Sequence, residues 1–344
     1  MKGGVINPIS VYPFPNFKAE QTKSYELGTN LRLFNNKINI DATVYLTDTY
    51  NQTFLSSMSP ASGYSGFYVQ AGKVRNKGIE LSLGYNDQFG KVGYATNLTY
   101  TANRNKIMKM VHDYKNPSDG SLFSITELTL QDKGGVYLRE KDAIGDVYVK
   151  GILARGKDGK LIEEEGGYKV DRSQRIKIGS VNPDFSIGWR HNVTWNNITL
   201  DLLFNGRFGG IVTSSTQAFL DDYGVSKDTY KARQNGGVWV NGTQYDAEKY
   251  YTTIGGEQLM AYYAYKATNI RLQEASLSYT LPGKWFGNVI NRLTVSAIGR
   301  NLWMIYNKAP FDPEMTSSTG TYNRGDVFMP PSLRSVGFSV KIEL

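Results

Sequence analysis

The amino-acid sequence predicts an all-β protein, an antiparallel sheet of the membrane-barrel type, and three observations predict it. Apolar and polar residues alternate in about nine segments of roughly ten residues each, the period of a strand with one greasy and one wet face. The segments come in pairs joined by short turns, whereas the pairs are separated by long connections rich in Gly, Asn, Ser and Asp. The composition, 24 Tyr and 36 Gly beside only 40% hydrophobic residues, favours strands, turns and aromatic girdles over helices. Alternation alone leaves open whether the apolar face meets lipid or the packed core of a soluble β-domain. The loop asymmetry favours lipid: outer-membrane barrels have short periplasmic turns and long external loops, and structureless loops of such length are uncommon inside a compact domain.

The first pair is "SYELGTNLRLF" and "KINIDATVYLTDTY", meeting at Asn35 and Asn36. Tyr25, Leu27, Leu31 and Leu33 share one face of its first segment, and Ile38, Ile40, Ala42, Val44 and Leu46 share one face of its second. In the second pair, Ile79, Leu81, Leu83 and Tyr85 precede the turn "NDQFGK", and Val92, Tyr94, Thr96, Leu98 and Tyr100 follow it. The third pair is "FSIGWRHNVTW" with "ITLDLLFNGRF", joined through Asn196 and Asn197; such short Asn-rich links are hairpin signals. In the fourth, "NIRLQEASLSYTL" and "RLTVSAIGRNLW", Ile270 and Leu272 fall out of phase with Ala275, Leu277 and Tyr279. A bulge near Glu274 restores the phase. "LRSVGFSVKIEL" closes the series with Val336, Phe338, Val340, Ile342 and Leu344 in strict alternation.

The long connections are expected near 51–73, 104–184, 209–268 and 304–332. Tyr25, Tyr85, Tyr100, Trp195, Tyr279 and Trp303 fall near segment ends, where interfacial aromatic belts sit. With the C-terminus on the short-turn side, the first segment descends from an external loop, so residues 1–23 are expected to be the remnant of such a loop and 24–344 a run of barrel wall. A tenth strand within 1–23 is disfavoured by Pro8, Pro13 and Pro15. Nine is an odd number, and a barrel must close to leave no edge in lipid.

The remaining composition excludes several classes. The formal charge of +8 is spread along the chain, without the dense basic run that marks a nucleic-acid partner. The absence of Cys removes disulfides and thiolate chemistry but does not fix a compartment. No run of about 18 apolar residues offers a membrane helix. The start, "MKGGVINPISVYPFPNF", has no secretory apolar core. With His112 and His191 as the two histidines, no catalytic or metal-binding constellation emerges, and no enzyme activity, metal or cofactor is expected. The acidic run Glu163 to Glu165 follows Asp158-Gly159, which reads as an external hairpin turn with solvated carboxylates.

Several stretches resemble the SusC/RagA-type TonB-linked outer-membrane proteins, importers of glycans and peptides. "KAEQTKSYELGTNLRLFNNKINIDATVY" is similar to that family's Thr-Lys, Tyr-Glu-Leu-Gly strand entry. "GYSGFYVQAGKVRNKGIELSL" resembles its Asn-Ala-Gly then Asn-Lys-Gly-Ile-Glu element, with Gln70 in place of the Asn. "KIGSVNPDFSIGW", "FNGRFGGIV" and "GRNLWMIYNKAPFDPEM" resemble its Pro-Asp-Phe, Gly-Arg-x-Gly-Gly and Gly-Arg-Asn-Leu with Asp-Pro-Glu elements, in the family's order. Leu344 departs from the aromatic on which many outer-membrane barrels end.

The resemblance implies a barrel of about 22 strands with an N-terminal plug, of which this chain is expected to hold about nine strands and no plug domain. It implies location in the outer membrane of a Gram-negative bacterium, contact with its lipid, a SusD-like surface lipoprotein and the TonB complex, the last through the N-terminal part. An oligosaccharide or peptide is the implied substrate. A soluble or surface-exposed all-β carbohydrate-binding module is the alternative. Under the transporter reading, Asn39, Asp41, Thr43, Glu80, Asp201, Asn205 and Arg207 are expected to face the lumen. Tyr64, Phe67, Tyr68, Tyr223 and Trp239, aromatic residues of external loops, are candidates for stacking on substrate, or for packing the loops together.

Overall fold

A computed structural model describes residues 11–12, 17–57, 64, 66–115, 120, 122–130, 136–287, 289–317 and 325–344. Nine long strands form one antiparallel meander: β1 (Gln21–Leu33), β2 (Ile38–Ser57), β3 (Gly66–Phe89), β4 (Val92–Lys109), β5 (Phe185–Trp195), β6 (Ile198–Phe208), β7 (Asn269–Pro282), β8 (Arg292–Asn307) and β9 (Ser335–Glu343). Each strand pairs with its neighbour in sequence. The sheet begins three residues before the expected boundary of 1–23, and Val11–Tyr12 adds only a two-residue parallel pairing to β3.

The register separates the two faces. One face carries a row of Leu31, Ile40, Leu83, Leu98, Trp189 and Phe204 across β1 to β6. Nearer the short turns it carries Phe89, Val92, Trp195, Ile198, Tyr279, Val295 and Val340 across β3 to β9, a row with an aromatic on three strands. The opposite face carries Asn30, Asp41, Ser82, Thr99, Gly188, Asn205 and Arg271. The apolar face is uncovered among the described residues: Leu27 is 75% exposed and Phe338 84%. A soluble sheet would hide these columns.

The buried apolar residues lie elsewhere, beyond the strand ends opposite the short turns. One cluster joins Phe54, Val69, Val74 and Ile107, from the far ends of β2 to β4, to Leu128, Leu130 and Leu138 of the 127–139 hairpin. The other joins Leu153, Leu161, Tyr168, Ala218, Tyr245, Ile254, Leu259 and Tyr263. Three short helices belong to this second region: α1 (Ser215–Asp222), α2 (Lys227–Gln234) and α3 (Ala247–Gly256). Each starts where a side-chain oxygen accepts an otherwise unpaired backbone N–H: Ser214 from Gln217, Ser226 from Thr229 and Asp246 from Lys249.

Two expectations need correction. The connection expected near 51–73 is mostly strand, because β2 and β3 stay paired from Ser57↔Gly66 downward and bury Phe54 and Val69 on their extension. The region 209–268 is not an irregular loop but the helical cap just described. The expected bulge is present: β7 skips Gln273 between Leu272 and Glu274 in its pairing with β6, which returns Leu272 to the apolar face opposite Phe204. Asp158-Gly159 forms the expected turn, with Gly159 at φ 79° and its N–H donated to the Gly156 carbonyl.

Candidate functional site: the polar face and the recess above it

The seven residues expected to face the lumen lie on one face of the sheet. Asp41 and Asn205 share a row; Thr43, Glu80 and Arg207 share the next. Asn39 and Asp201 stand in adjoining rows, with Asn97 and Arg190 in line with the first and Asn192 and Ser276 in line with the second.

Their side chains are tied laterally. Asn30 donates to Asp41 at 2.9 Å, Asn97 to Ser82 at 3.0 Å, and the Arg190 guanidinium to Asp201 at 2.9 Å. Arg207 reaches the Val181 carbonyl at 2.5 Å. Hydroxyl pairs continue the pattern, Ser24 with Thr47 and Ser278 with Ser296. Cross-strand polar contacts of this kind hold side chains in fixed array while leaving lone pairs and N–H groups for water or solute.

At the long-loop end the polar face opens into a recess of about 620 Å³, lined by Asn103, Asn105, Asp146, Asn182, Lys266 and Thr268 among others. Asn103 and Asn105 both donate to Asn76, at 3.4 and 2.9 Å, and Tyr45 donates to Asn103 at 3.2 Å. Lys177 reaches the buried Asp146 at 2.5 Å. Amide, carboxylate and ammonium groups converging on one concavity can hold a polar solute through paired donors and acceptors. The sequence reading missed this recess. Its residues come from five separate stretches, and the signal available was the run "NRNK" at the end of a strand, where Asn103 and Asn105 point to the same face.

The five aromatic candidates are not gathered. Phe67 is half-buried and packs against the first apolar cluster. Tyr68 meets Phe17 edge-on at 5.9 Å, and Tyr64 is half-buried. Tyr223, after α1, and Trp239, on the 238–240 strand, are exposed in the helical cap. Nearby, Asp221 of α1 is buried and accepts from Tyr263 at 3.0 Å; burial pushes its carboxyl above the usual range.

The two histidines are occupied locally. His112 contacts Glu140 at 2.5 Å, and His191 stands on the apolar face between Trp189 and Tyr94, with the Tyr94 hydroxyl 2.9 Å from Nδ1. Among the described residues no group of three His, Asp or Glu side chains could hold a metal ion.

The loop element around Asp312 is clamped. Arg271 donates to both its carboxylate oxygens, at 2.8 and 3.2 Å, and the Ser332 hydroxyl adds a contact at 2.5 Å. Arg271 and Asp312 are both buried. Burial pushes the Asp312 carboxyl up, but Arg271, Ser332 and the Glu314 N–H together hold it below the usual range.

Residues 4–202, more than half of the chain, match the family described as TonB dependent receptor-like, beta-barrel. The chain belongs to this family. It is 24% identical over 321 residues to TonB-dependent receptor P3 of Formosa agariphila, a match covering 87% of this chain and 31% of the relative. TonB-dependent receptor P39 of the same organism is 21% identical over 360 residues, covering 90% and 34%. The structure of the RagAB peptide importer in the 'open-open' state superposes with a TM-score of 0.70 at 19% identity, covering 96% of this chain and 35% of that one. Its 'closed-closed' state gives 0.67, covering 94% and 35%. The receptor barrel described here therefore spans about a third of the length of the relatives it matches.

Proposed function

We propose that this chain is C-terminal barrel wall of a TonB-dependent outer-membrane transporter that imports an oligosaccharide or peptide into a Gram-negative cell. Its polar face lines the lumen, its apolar face meets lipid, and the long-loop end is external. A SusD-like lipoprotein meets that external end, and the TonB complex acts through parts of the receptor outside these residues. The observation that carries the reading is the division of the sheet into an uncovered apolar face and a hydrogen-bonded polar one. The RagAB neighbours, titled a peptide importer, support a peptide as one of the two substrate classes. A soluble carbohydrate-binding module would need the apolar columns packed as its core, and the cores lie beyond them, at the long-loop end, instead.

Substrate contact is assigned to the recess bearing Asn103, Asn105, Asn182 and Lys266, with Tyr68, Tyr223 and Trp239 as stacking residues further out. The test uses the absence of Cys from this chain. In the full-length receptor in cells, a cysteine replacing Asn205 or Asp41 is expected to react with a water-soluble maleimide, and one replacing Leu200 or Leu83 only with a lipid-soluble reagent. The reverse pattern overturns the assignment of faces.

A further inference from the structure

The apolar face carries an anomaly at one corner. Across β5 to β9, which stop at or before the row of Ala102, the residues pointing to that face from Phe185 to Ile342 include no Lys, Arg, Asp or Glu. On β1 to β4 the same face turns basic toward the long-loop end. Directly beyond the row Leu27, Val44, Ile79 and Ala102 comes Tyr25, Leu46, Lys77 and Arg104, and beyond that Lys23, Asp48, Arg75 and Lys106.

Lys77 therefore stands opposite Arg104, and Arg75 opposite Lys106, in a two-by-two array. Neighbouring positions are about 5 Å apart across strands and about 7 Å apart along them. Like charges directly opposite on a sheet repel. Part of the charge is met within the protein: Asp48 takes Arg75 in a two-point contact at 2.7 and 2.8 Å and Lys73 at 2.7 Å, and Asp184 takes Arg104 at 2.7 Å. Lys23, Lys77 and Lys106 are exposed and have no acidic partner within 4 Å among the described residues. With the adjoining Lys23 and Lys73, the four cations of the array make six, against the two carboxylates Asp48 and Asp184. Tyr50 stands beside it, with the Lys23 and Lys73 ammonium groups 5.7 and 5.2 Å from its ring centre.

We propose that this corner of the barrel wall is a binding site for a phosphorylated anionic lipid of the external leaflet. The inference rests on the proposed placement of the apolar face in lipid. Acyl chains lie along Leu27, Val44, Ile79 and Leu81, and the headgroup phosphate is held by Lys77 and Lys106 with Lys23 at its flank. Charge complementarity selects the occupant: the cations stand where an apolar wall ends, which is the depth of headgroups, and outnumber the carboxylates that meet them.

The test uses the full-length receptor reconstituted in phosphatidylcholine vesicles containing either spin-labelled phosphatidic acid or spin-labelled phosphatidylcholine of the same chains. The expected result is that the wild type immobilises phosphatidic acid at least about fivefold in preference to phosphatidylcholine. The combined Lys23→Gln, Lys77→Gln and Lys106→Gln variant loses the preference, and the combined Lys→Arg variant at the same positions keeps it. Added inorganic phosphate leaves the preference in place. An equal response to both lipids in the wild type, an unchanged preference in the Gln variant, or displacement by free phosphate overturns the proposal. Absence of any immobilised lipid in the wild type overturns instead the placement of the sheet in a bilayer.

Discussion

Arg271 is the residue on which the connection after β8 depends. It leaves β7 on the polar face and spends its guanidinium on Asn269 and Asp312, both held within the fold. A buried ion pair adds little over an apolar pair of equal volume, but removing one member strands the other charge. Arg271→Ala is expected to destabilise this connection by about 3 kcal/mol, read as faster amide exchange over 309–317 with exchange in β5 and β6 unchanged. The pH dependence has a definite sign. The Asp312 carboxyl lies below its unfolded value, so its contribution is complete above that value and is lost as pH falls through the folded one, below about pH 4. Exchange over 309–317 is expected to rise on acidification below that point, and flat exchange there would show that the clamp does not hold the loop. The Asp-Pro-Glu stretch is legible in the sequence as a structural loop element, because Pro313 fixes the backbone. Its partner is not, since Arg271 lies 41 residues away in a strand.

Among the elements, the β2–β3–β4 unit shows why "RNKGIELSL" has its glycine. Gly78 pairs with Tyr45 on β2 and Asn103 on β4, and a Cβ there would stand 2.5 Å from the Tyr45 hydroxyl and 2.4 Å from the Ala102 carbonyl. The tyrosine ring lies across the position and reaches Asn103. Gly78→Ala is expected to displace that ring and cost about 1–3 kcal/mol, seen as a lower temperature for the heat-induced shift in electrophoretic migration of the full-length receptor. Tyr45→Phe, which keeps the ring and loses only the contact to Asn103, is expected to cost less. Strands, hairpin turns and the Gln273 bulge were legible because a period of two and a phase break are local properties. The helical cap was less so. Ser214, Ser226 and Asp246 are recognisable caps, yet each helix has only 8 to 10 residues, and α1 and α3 gain their stability from packing in the cluster of Tyr263 and Leu259. The recess was illegible for a related reason, since it exists only where the ends of β4 and β6 meet the connections above them.

At the scale of the molecule, the decisive property is that the sheet of the described residues does not close. Among the described residues, β1 pairs only with β2 and β9 only with β8, so a row of backbone N–H and C=O groups runs along each outer edge of the wall. In water such an edge invites another strand; in hydrocarbon each unpaired group costs several kcal/mol. The apolar face cannot relieve this by folding inward, because β1 to β9 form a single meander whose buried clusters lie beyond its long-loop end. Under the proposed function, strands outside these residues pair these edges, as the coverage of only about a third of each relative allows. These 344 residues produced alone and refolded in detergent are therefore expected to give edge-paired oligomers without heat-modifiable migration. The same residues within the full-length receptor are expected to run as a heat-modifiable monomer. A sharp heat-modifiable monomer from the isolated chain would show that β1 and β9 can pair with each other, and the wall would then be a small closed barrel with a lumen too narrow for the proposed cargo.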